Sequence, residues 1–257
     1  MDSMREPHVM SNLEMDAQTL SQTLSRVADH VIEARSKAFA GSRNHEPDQL
    51  DADIDRFLKF VDLVQKGKQY PAQTSASAPQ TDRNLMANIG LQLIHTLSHW
   101  AIHLQLEKSV GDLEKLTLCV ALWCARQQCQ LSTLIPLVDA VSDYANRQSE
   151  SETMSELTSV VGEIIDAIEP AIKADREKSD PHRPWRLLNI NYGIIATRSL
   201  EPAIMEQAYE NIIQRFPEDA AEFFREGMEQ MQIIDYPDHV RAVMEKYYHA
   251  TNNPTLH

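Results

Sequence analysis

Apolar residues recur every three to four positions along almost the whole chain, which is the period of an α-helix. Only seven of the 257 residues are glycine, so few positions favour the positive φ angles that the tight turns of hairpin-rich sheets require. No segment alternates polar and apolar residues over the length of a strand. The sequence therefore predicts an all-α fold of about ten helices, arranged as antiparallel hairpins.

One long polar stretch divides the periodic segments. We predict an N-terminal helical hairpin over residues 1–66, followed by a flexible linker at 67–82 that is rich in Pro, Ser and Ala. Residues 83–257 are predicted to form a helical array. A linker of this length allows the hairpin either to pack on the array or to move freely.

Breaks within the array are expected where the sequence interrupts a helix. Gly111 and Asp112 predict the turn between the first two helices of the array. Pro170 predicts a bend, and Pro136 is expected either in the first turn of its helix or at a kink. Pro202 and Pro217 are expected in the first turns of their helices, where a proline costs no hydrogen bond. The helices predicted after the linker span about 83–107, 112–129, 131–147, 152–177, 185–199, 201–215, 218–232 and 236–250.

The net charge of the chain argues against two classes of binding partner. The chain has 24 Lys and Arg against 38 Asp and Glu, a net charge of −14. This acidity argues against binding to nucleic acid or to an anionic membrane surface. No uninterrupted apolar run is long enough to span a bilayer, and the first residues do not resemble a signal peptide. With three cysteines and no export signal, we expect a cytoplasmic protein with reduced thiols.

Glycines and prolines recur at a common spacing in the last quarter of the chain. Gly193 and Gly227 are 34 residues apart, and each lies in the first helix of a predicted pair. Pro202 and Pro237 are 35 residues apart, and each opens the second helix. A helix–turn–helix unit that repeats at this period is the signature of a helical solenoid.

This period resembles the tetratricopeptide repeat. Gly193 matches the small-residue position of that family's first helix, Tyr209 the aromatic position of the second, and Pro217 the closing proline. Asn189 stands where a Trp is common, and Met205 where an Ala is usual. The resemblance implies an α–α superhelix at the C-terminal end, with a concave face that binds a peptide or a partner protein. The two repeat-like units would span residues 185–217 and 218–251.

A basic and aromatic cluster coincides with the first of these units. Arg, Trp and Tyr dominate the hot spots of protein interfaces, so we predict a non-catalytic interaction or scaffold protein that binds its partner here. The sequence has no phosphate-binding, nucleophile-elbow or metalloprotease motif. An alternative is that the arginines pair with the acidic surface and that the Trp lies in the core. The predicted contact residues are Arg183, Trp185, Arg186, Asn189, Tyr192 and Arg198.

Three histidines at a spacing of four residues suggest a second function. His95, His99 and His103 share one face of a predicted helix, and a turn at 108–112 would place Cys119 level with His99 and Cys124 level with His95. Mixed His and Cys ligands suit zinc or another transition metal, and histidines also ligate haem. Against this alternative, the histidines lie opposite the apolar seam, and the cysteines point to different sides of their helix.

Overall fold

The computed structural model describes residues 12–39, 47–67, 79–176 and 178–252. These residues form eleven helices and no β-strand, which confirms the all-α prediction. No helix among them is both long and apolar enough to cross a lipid bilayer. The chain divides into two compact units, unit 1 (Met1–Pro136) and unit 2 (Leu137–His257). The helices are α1 (Ala17–Ala38), α2 (Pro47–Gln65), α3 (Pro79–His103), α4 (Glu107–Arg126), α5 (Ile135–Asn146), α6 (Ser151–Asp166), α7 (Pro170–Lys173), α8 (Pro184–Arg198), α9 (Pro202–Arg215), α10 (Pro217–Ile233) and α11 (Asp238–Asn252).

The first turn after the predicted linker differs from the prediction. α3 ends at His103 and α4 begins at Glu107, so the break predicted at Gly111 is wrong. Gln105 adopts a φ of 55°, and the next amide, that of Leu106, donates to the Ala101 carbonyl at 2.9 Å. This left-handed residue closes α3, whereas Gly111 lies inside α4, where packing offsets a propensity cost of about 1 kcal/mol.

Prolines mark where several helices begin. Pro202 and Pro217 are the first residues of α9 and α10, as predicted. Pro136 is the second residue of α5, so of its two predicted positions the structure has the first turn and not a kink. Pro170 begins the one-turn helix α7, because α6 has already ended at Asp166. The single bent helix predicted over 152–177 is therefore wrong, and two separate helices take its place.

Unit 1 is built from the first four helices. α3 packs against α4 and α2, and α1 packs against α4 and α2. The Asn88 side-chain carbonyl accepts from the amides of Ser132 and Thr133 at 2.7 and 2.9 Å, which ties the start of α3 to the segment after α4. Residues 79–82 of the predicted linker belong to α3, while residues 68–78 lie outside the described residues.

The hairpin of α1 and α2 is packed on the rest of unit 1. Phe57 of α2 is fully buried, and its ring occupies the space beside Gly90 of α3. A Cβ at Gly90 would lie 2.3 Å from Cε2 of this ring, far inside van der Waals contact. Only glycine therefore allows α2 to approach α3 this closely. Of the two arrangements that the sequence left open, the structure has the packed one.

Unit 2 contains two helix pairs joined by a buried aromatic cluster. α8 packs against α9 and α10 against α11, while α9 also contacts α10 and α11. Tyr209 of α9 is fully buried, and its ring lies 5.0 Å from Phe224 and 5.3 Å from Tyr247, measured between centroids. Edge-to-face contacts of this kind add to the burial of apolar surface. The cluster therefore holds both pairs together.

A pair of glycine substitutions tests the packing of α2 on α3. Gly90→Ala is expected to lower the free energy of unfolding by about 1–3 kcal/mol, because the buried Phe57 ring must move. In the control Gly162→Ala, the new Cβ meets its nearest neighbour at 3.5 Å, an ordinary contact, and a gain of about 0.5–1 kcal/mol is expected from helix propensity. Urea unfolding measures both. A Gly90→Ala variant as stable as the wild type would mean that α2 is not docked on α3.

Candidate functional site

The side of unit 2 where α8 and α10 meet carries a narrow apolar cavity. Its volume is about 150 Å³, and it lies between the first helices of the two pairs, next to α11. We call it the α8–α10 groove. Its walls include Ile190, Ile194 and Thr197 of α8, Phe223 and Gly227 of α10, and Met244 of α11.

Contacts with the buried Tyr209 hold the walls of the α8–α10 groove in place. The Thr197 hydroxyl donates to the Gly193 carbonyl at 2.8 Å and lies 2.7 Å from the Tyr209 hydroxyl. The Phe223 ring packs on Tyr209 with 5.9 Å between centroids. Since Tyr209 is fully buried, these contacts anchor both sides of the groove. Ile194, by contrast, has 45% of its surface exposed in the groove.

Unit 2 holds most of the negative charge of the chain. Residues 137–257 contain 11 Lys and Arg against 22 Asp and Glu, a net charge of −11. Glu226 lines the α8–α10 groove. The neighbouring Arg225 forms ion pairs with Glu222 and Glu229 on the exposed side of α10, and these pairs raise its pKa. The potential around the groove therefore favours cationic ligands.

The three arginines predicted to contact a partner are held by groups within unit 2. Arg183 forms a bidentate pair with Asp175 at 2.7 and 2.8 Å, which raises the arginine pKa. Arg186 lies 2.9 Å from an oxygen of Asp219. Arg198 donates to the Gln148 carbonyl at 2.7 Å. In so acidic a unit, each cation finds an anion or carbonyl nearby, which was the alternative that the sequence left open.

Trp185, Asn189 and Tyr192 occupy a different face of α8 from the groove residues, and all three are buried. The Trp185 ring packs on Phe216 with 6.1 Å between centroids. The Asn189 amide donates to the Trp185 carbonyl at 2.8 Å, and its oxygen accepts from Arg215 at 2.7 Å. Asn189 and Trp185, which were predicted to contact a partner, thus hold Arg215 in position, and Arg215 was not among the predicted site residues.

A second and larger cavity opens beside this face of α8. Its volume is about 580 Å³, and α6 and α9 form its two walls, with Tyr192 between them. We call it the Arg215 cavity. Sequence reasoning missed it because α6 and α9 are distant in the chain and each contacts α8. Its polar lining includes Ser155, Ser159 and Asp166 of α6 and Gln207, Asn211 and Arg215 of α9.

The predicted histidine stripe lies along α3. The Nε2 atoms of His95 and His99 are 3.0 Å apart, and their rings meet edge to face. His103 lies two helical turns from His95, about 12 Å along the axis, too far to share one ion with it. In the described ranges, no three His, Cys, Asp or Glu side chains are grouped so that they could hold a metal ion.

The two cysteines lie in the core of unit 1. Because the turn lies at 104–106 instead of 108–112, the pairing of α3 with α4 shifts by about ten residues, nearly three turns, and the predicted alignment of Cys119 and Cys124 with the histidines is wrong. The Cys124 thiol instead donates a hydrogen bond to Cys129, close to the charge of Arg83. That hydrogen bond and burial raise the pKa of Cys124, and burial raises that of Cys119 to about 12. Metal ligation requires thiolates, which this environment disfavours.

Comparisons of the chain with known protein families, with curated proteins and with solved structures find no match.

The buried Cys119 thiol makes stability depend on alkaline pH. An unfolded cysteine ionises near pH 8.5, whereas Cys119 keeps its proton in the folded protein up to about pH 12. The buried Cys119 thiol therefore contributes fully to the free energy of unfolding below about pH 8.5. This contribution falls as the pH rises, and about 2 kcal/mol of it is lost at pH 10. Urea unfolding at pH 8 and pH 10 should show a smaller loss in Cys119→Ala than in the wild type. Equal losses would mean that Cys119 is not buried as a thiol.

Proposed function

We propose that the protein is a non-catalytic interaction module that holds a segment of a partner protein in the α8–α10 groove. The observation that carries this proposal is the position of Ile194, an isoleucine with 45% of its surface exposed beside an apolar cavity. Apolar surface that is left open and surrounded by polar residues is typical of binding sites. The Thr197 hydroxyl also lines the groove, but it is hydrogen-bonded to the Tyr209 hydroxyl and therefore has a structural role.

The packing of the glycines supports the resemblance to tetratricopeptide repeats. In α8, a Cβ at Gly193 would lie 2.5 Å from the Ile212 side chain of α9. In α10, a Cβ at Gly227 would lie 2.6 Å from the Met244 side chain of α11. In each pair, a glycine in the first helix therefore allows the second helix to pack closely against it. The first helices of the two pairs then share one face, and this face carries the groove.

The chemistry of the groove indicates what kind of segment it accepts. Ile194 and Phe223 offer apolar contacts, while Glu226 and the net charge of −11 of unit 2 favour cations. We propose an amphipathic segment in which one or two large apolar side chains are flanked by Lys or Arg. Apolar anchors in a pocket would supply affinity, and the flanking charges would increase the rate of association.

This proposal revises the contact residues predicted from the sequence. Arg183, Arg186 and Arg198 stabilise the module through their internal partners, and Trp185 and Asn189 are buried. Ile194 and Phe223 take the contact role instead.

Metal or haem binding is the second candidate function. The approach of the His95 and His99 nitrogens to 3.0 Å favours it, because two donors on one helix face can bind the same ion. Two nitrogen ligands are fewer than the three protein ligands that catalytic zinc sites use. Metal or haem binding is therefore less favoured than the interaction function.

Peptide selection tests the α8–α10 groove directly. A random peptide library selected on the immobilised full chain should yield binders that combine large apolar residues with Lys or Arg. Fluorescence anisotropy should show that Ile194→Glu weakens the best binder by about tenfold or more, because a charge enters an apolar cavity. The matched control is Ile102→Glu, since Ile102 on α3 is also exposed but belongs to unit 1.

The control variant should bind as the wild type does. Binders enriched in Asp and Glu, or equal affinity of the Ile194→Glu and Ile102→Glu variants for the selected peptide, would contradict the proposal.

A further inference from the structure

The Arg215 cavity is built as a polar channel along α8. α6 and α9 both pack against α8, and each contributes residues to the lining at helical intervals of three or four. At one end of this channel lie Asp166 and Arg215, the last residues of α6 and α9. At the other end, the Ser155 hydroxyl donates to the Glu201 carboxylate at 2.5 Å. A volume of about 580 Å³ is within the range of small-molecule sites.

Arg215 is held in position but retains unused donors. One of its nitrogens donates to Asn189 at 2.7 Å, and its guanidinium carbon lies 5.7 Å from the centroid of the Trp185 ring. Among the described residues, no carboxylate lies within 4 Å of this guanidinium, unlike those of Arg183 and Arg186. Burial lowers the pKa of Arg215, and the more distant charge of Asp166 raises it by less, so the guanidinium charge is only partly compensated. A carboxylate entering the cavity would find a preorganised, partly desolvated guanidinium, the setting in which such pairs are strong.

Tyr192 adds a hydroxyl to the same space. Its side chain lines the cavity, and no other described residue forms a hydrogen bond with its hydroxyl. Burial raises the pKa of Tyr192, so the hydroxyl remains a proton donor at neutral pH. Gly162 of α6 faces it, and a Cβ there would lie 3.5 Å from the hydroxyl oxygen. The absence of a side chain at Gly162 keeps the approach to Tyr192 open.

The charges of the lining indicate the kind of molecule that fits. Arg215 is the only cation among the lining residues that the structure describes, and Glu163 and Asp166 lie on the opposite wall. Lys173 is close enough to Asp166 and Arg215 to interact with both charges, so Lys173 and Arg215 together balance Glu163 and Asp166. A phosphate or a dicarboxylate would add uncompensated negative charge to this balanced set, which is unfavourable. A molecule that carries both a carboxylate and an ammonium group would complement both walls.

We infer that the Arg215 cavity binds a small zwitterion of the α-amino-acid type, an amino acid or a dipeptide, with its carboxylate on Arg215 and Tyr192 and its ammonium group toward Asp166. Gln207 and Asn211 are placed to form hydrogen bonds with a polar side chain or a peptide group of the ligand. This site uses a different face of α8 from the α8–α10 groove, so its occupancy does not depend on the proposed interaction with a partner protein.

Thermal unfolding of the full chain tests this inference with defined probes. Each of the standard amino acids and the dipeptide glycylglutamine is added at 10 mM, and at least one should raise the melting temperature by about 2 °C or more. The amide and the N-acetyl derivative of that ligand, which lack the carboxylate and the ammonium group respectively, should bind at least about tenfold more weakly.

Two variants and one control locate the ligand. Arg215→Gln should abolish the shift, and Gly162→Leu should do the same by filling the cavity without changing Arg215. Arg225→Gln on the exposed side of α10 should keep it. The inference is overturned if no probe shifts the wild type, if the shift survives in either cavity variant that retains wild-type helicity, or if the N-acetyl derivative binds as tightly as the parent amino acid.

Discussion

Tyr209 is buried where α8, α9, α10 and α11 meet, and its hydroxyl lies 2.7 Å from that of Thr197. Its ring contacts Phe223, Phe224 and Tyr247, so one side chain joins the two helix pairs through both polar and aromatic contacts. A buried phenol without a hydrogen-bond partner would destabilise the fold, and Thr197 supplies that partner. Because Thr197 and Phe223 also line the α8–α10 groove, the same interaction that assembles unit 2 shapes its proposed binding surface.

α8 divides unit 2 into two chemical environments. Its face with Ile194 borders an apolar groove, and its face with Tyr192 borders a polar cavity that contains Arg215. Three arginines of this acidic unit, Arg183, Arg186 and Arg225, form ion pairs with nearby carboxylates. Arg215 is held by the neutral amide of Asn189, with Asp166 as a more distant counter-charge, which leaves guanidinium donors available to a ligand. The two faces would allow one helix to contact a partner protein and a small molecule independently.

Local sequence signals predicted most of the helices. The two cavities, by contrast, are formed by residues that are distant in the sequence, and local signals do not predict such contacts. The helical period gave the correct class, and Pro202 and Pro217 marked the starts of α9 and α10 because a first-turn proline loses no hydrogen bond. The turn after α3 was missed because its left-handed residue is Gln105, which has no turn signature, while Gly111 does. The pairing of Arg186 with Asp219 and the role of Arg215 depend on tertiary packing, which spacing alone does not encode.

Photo-crosslinking in the native host determines whether a partner protein occupies the α8–α10 groove. Benzoylphenylalanine replaces Ile194 in one variant and Ile102, another exposed isoleucine that belongs to unit 1, in the other. We expect a covalent adduct at 194 but not at 102, and mass spectrometry should show that the crosslinked segment combines apolar residues with Lys or Arg. No adduct at 194, or the same adduct from both positions, would contradict it.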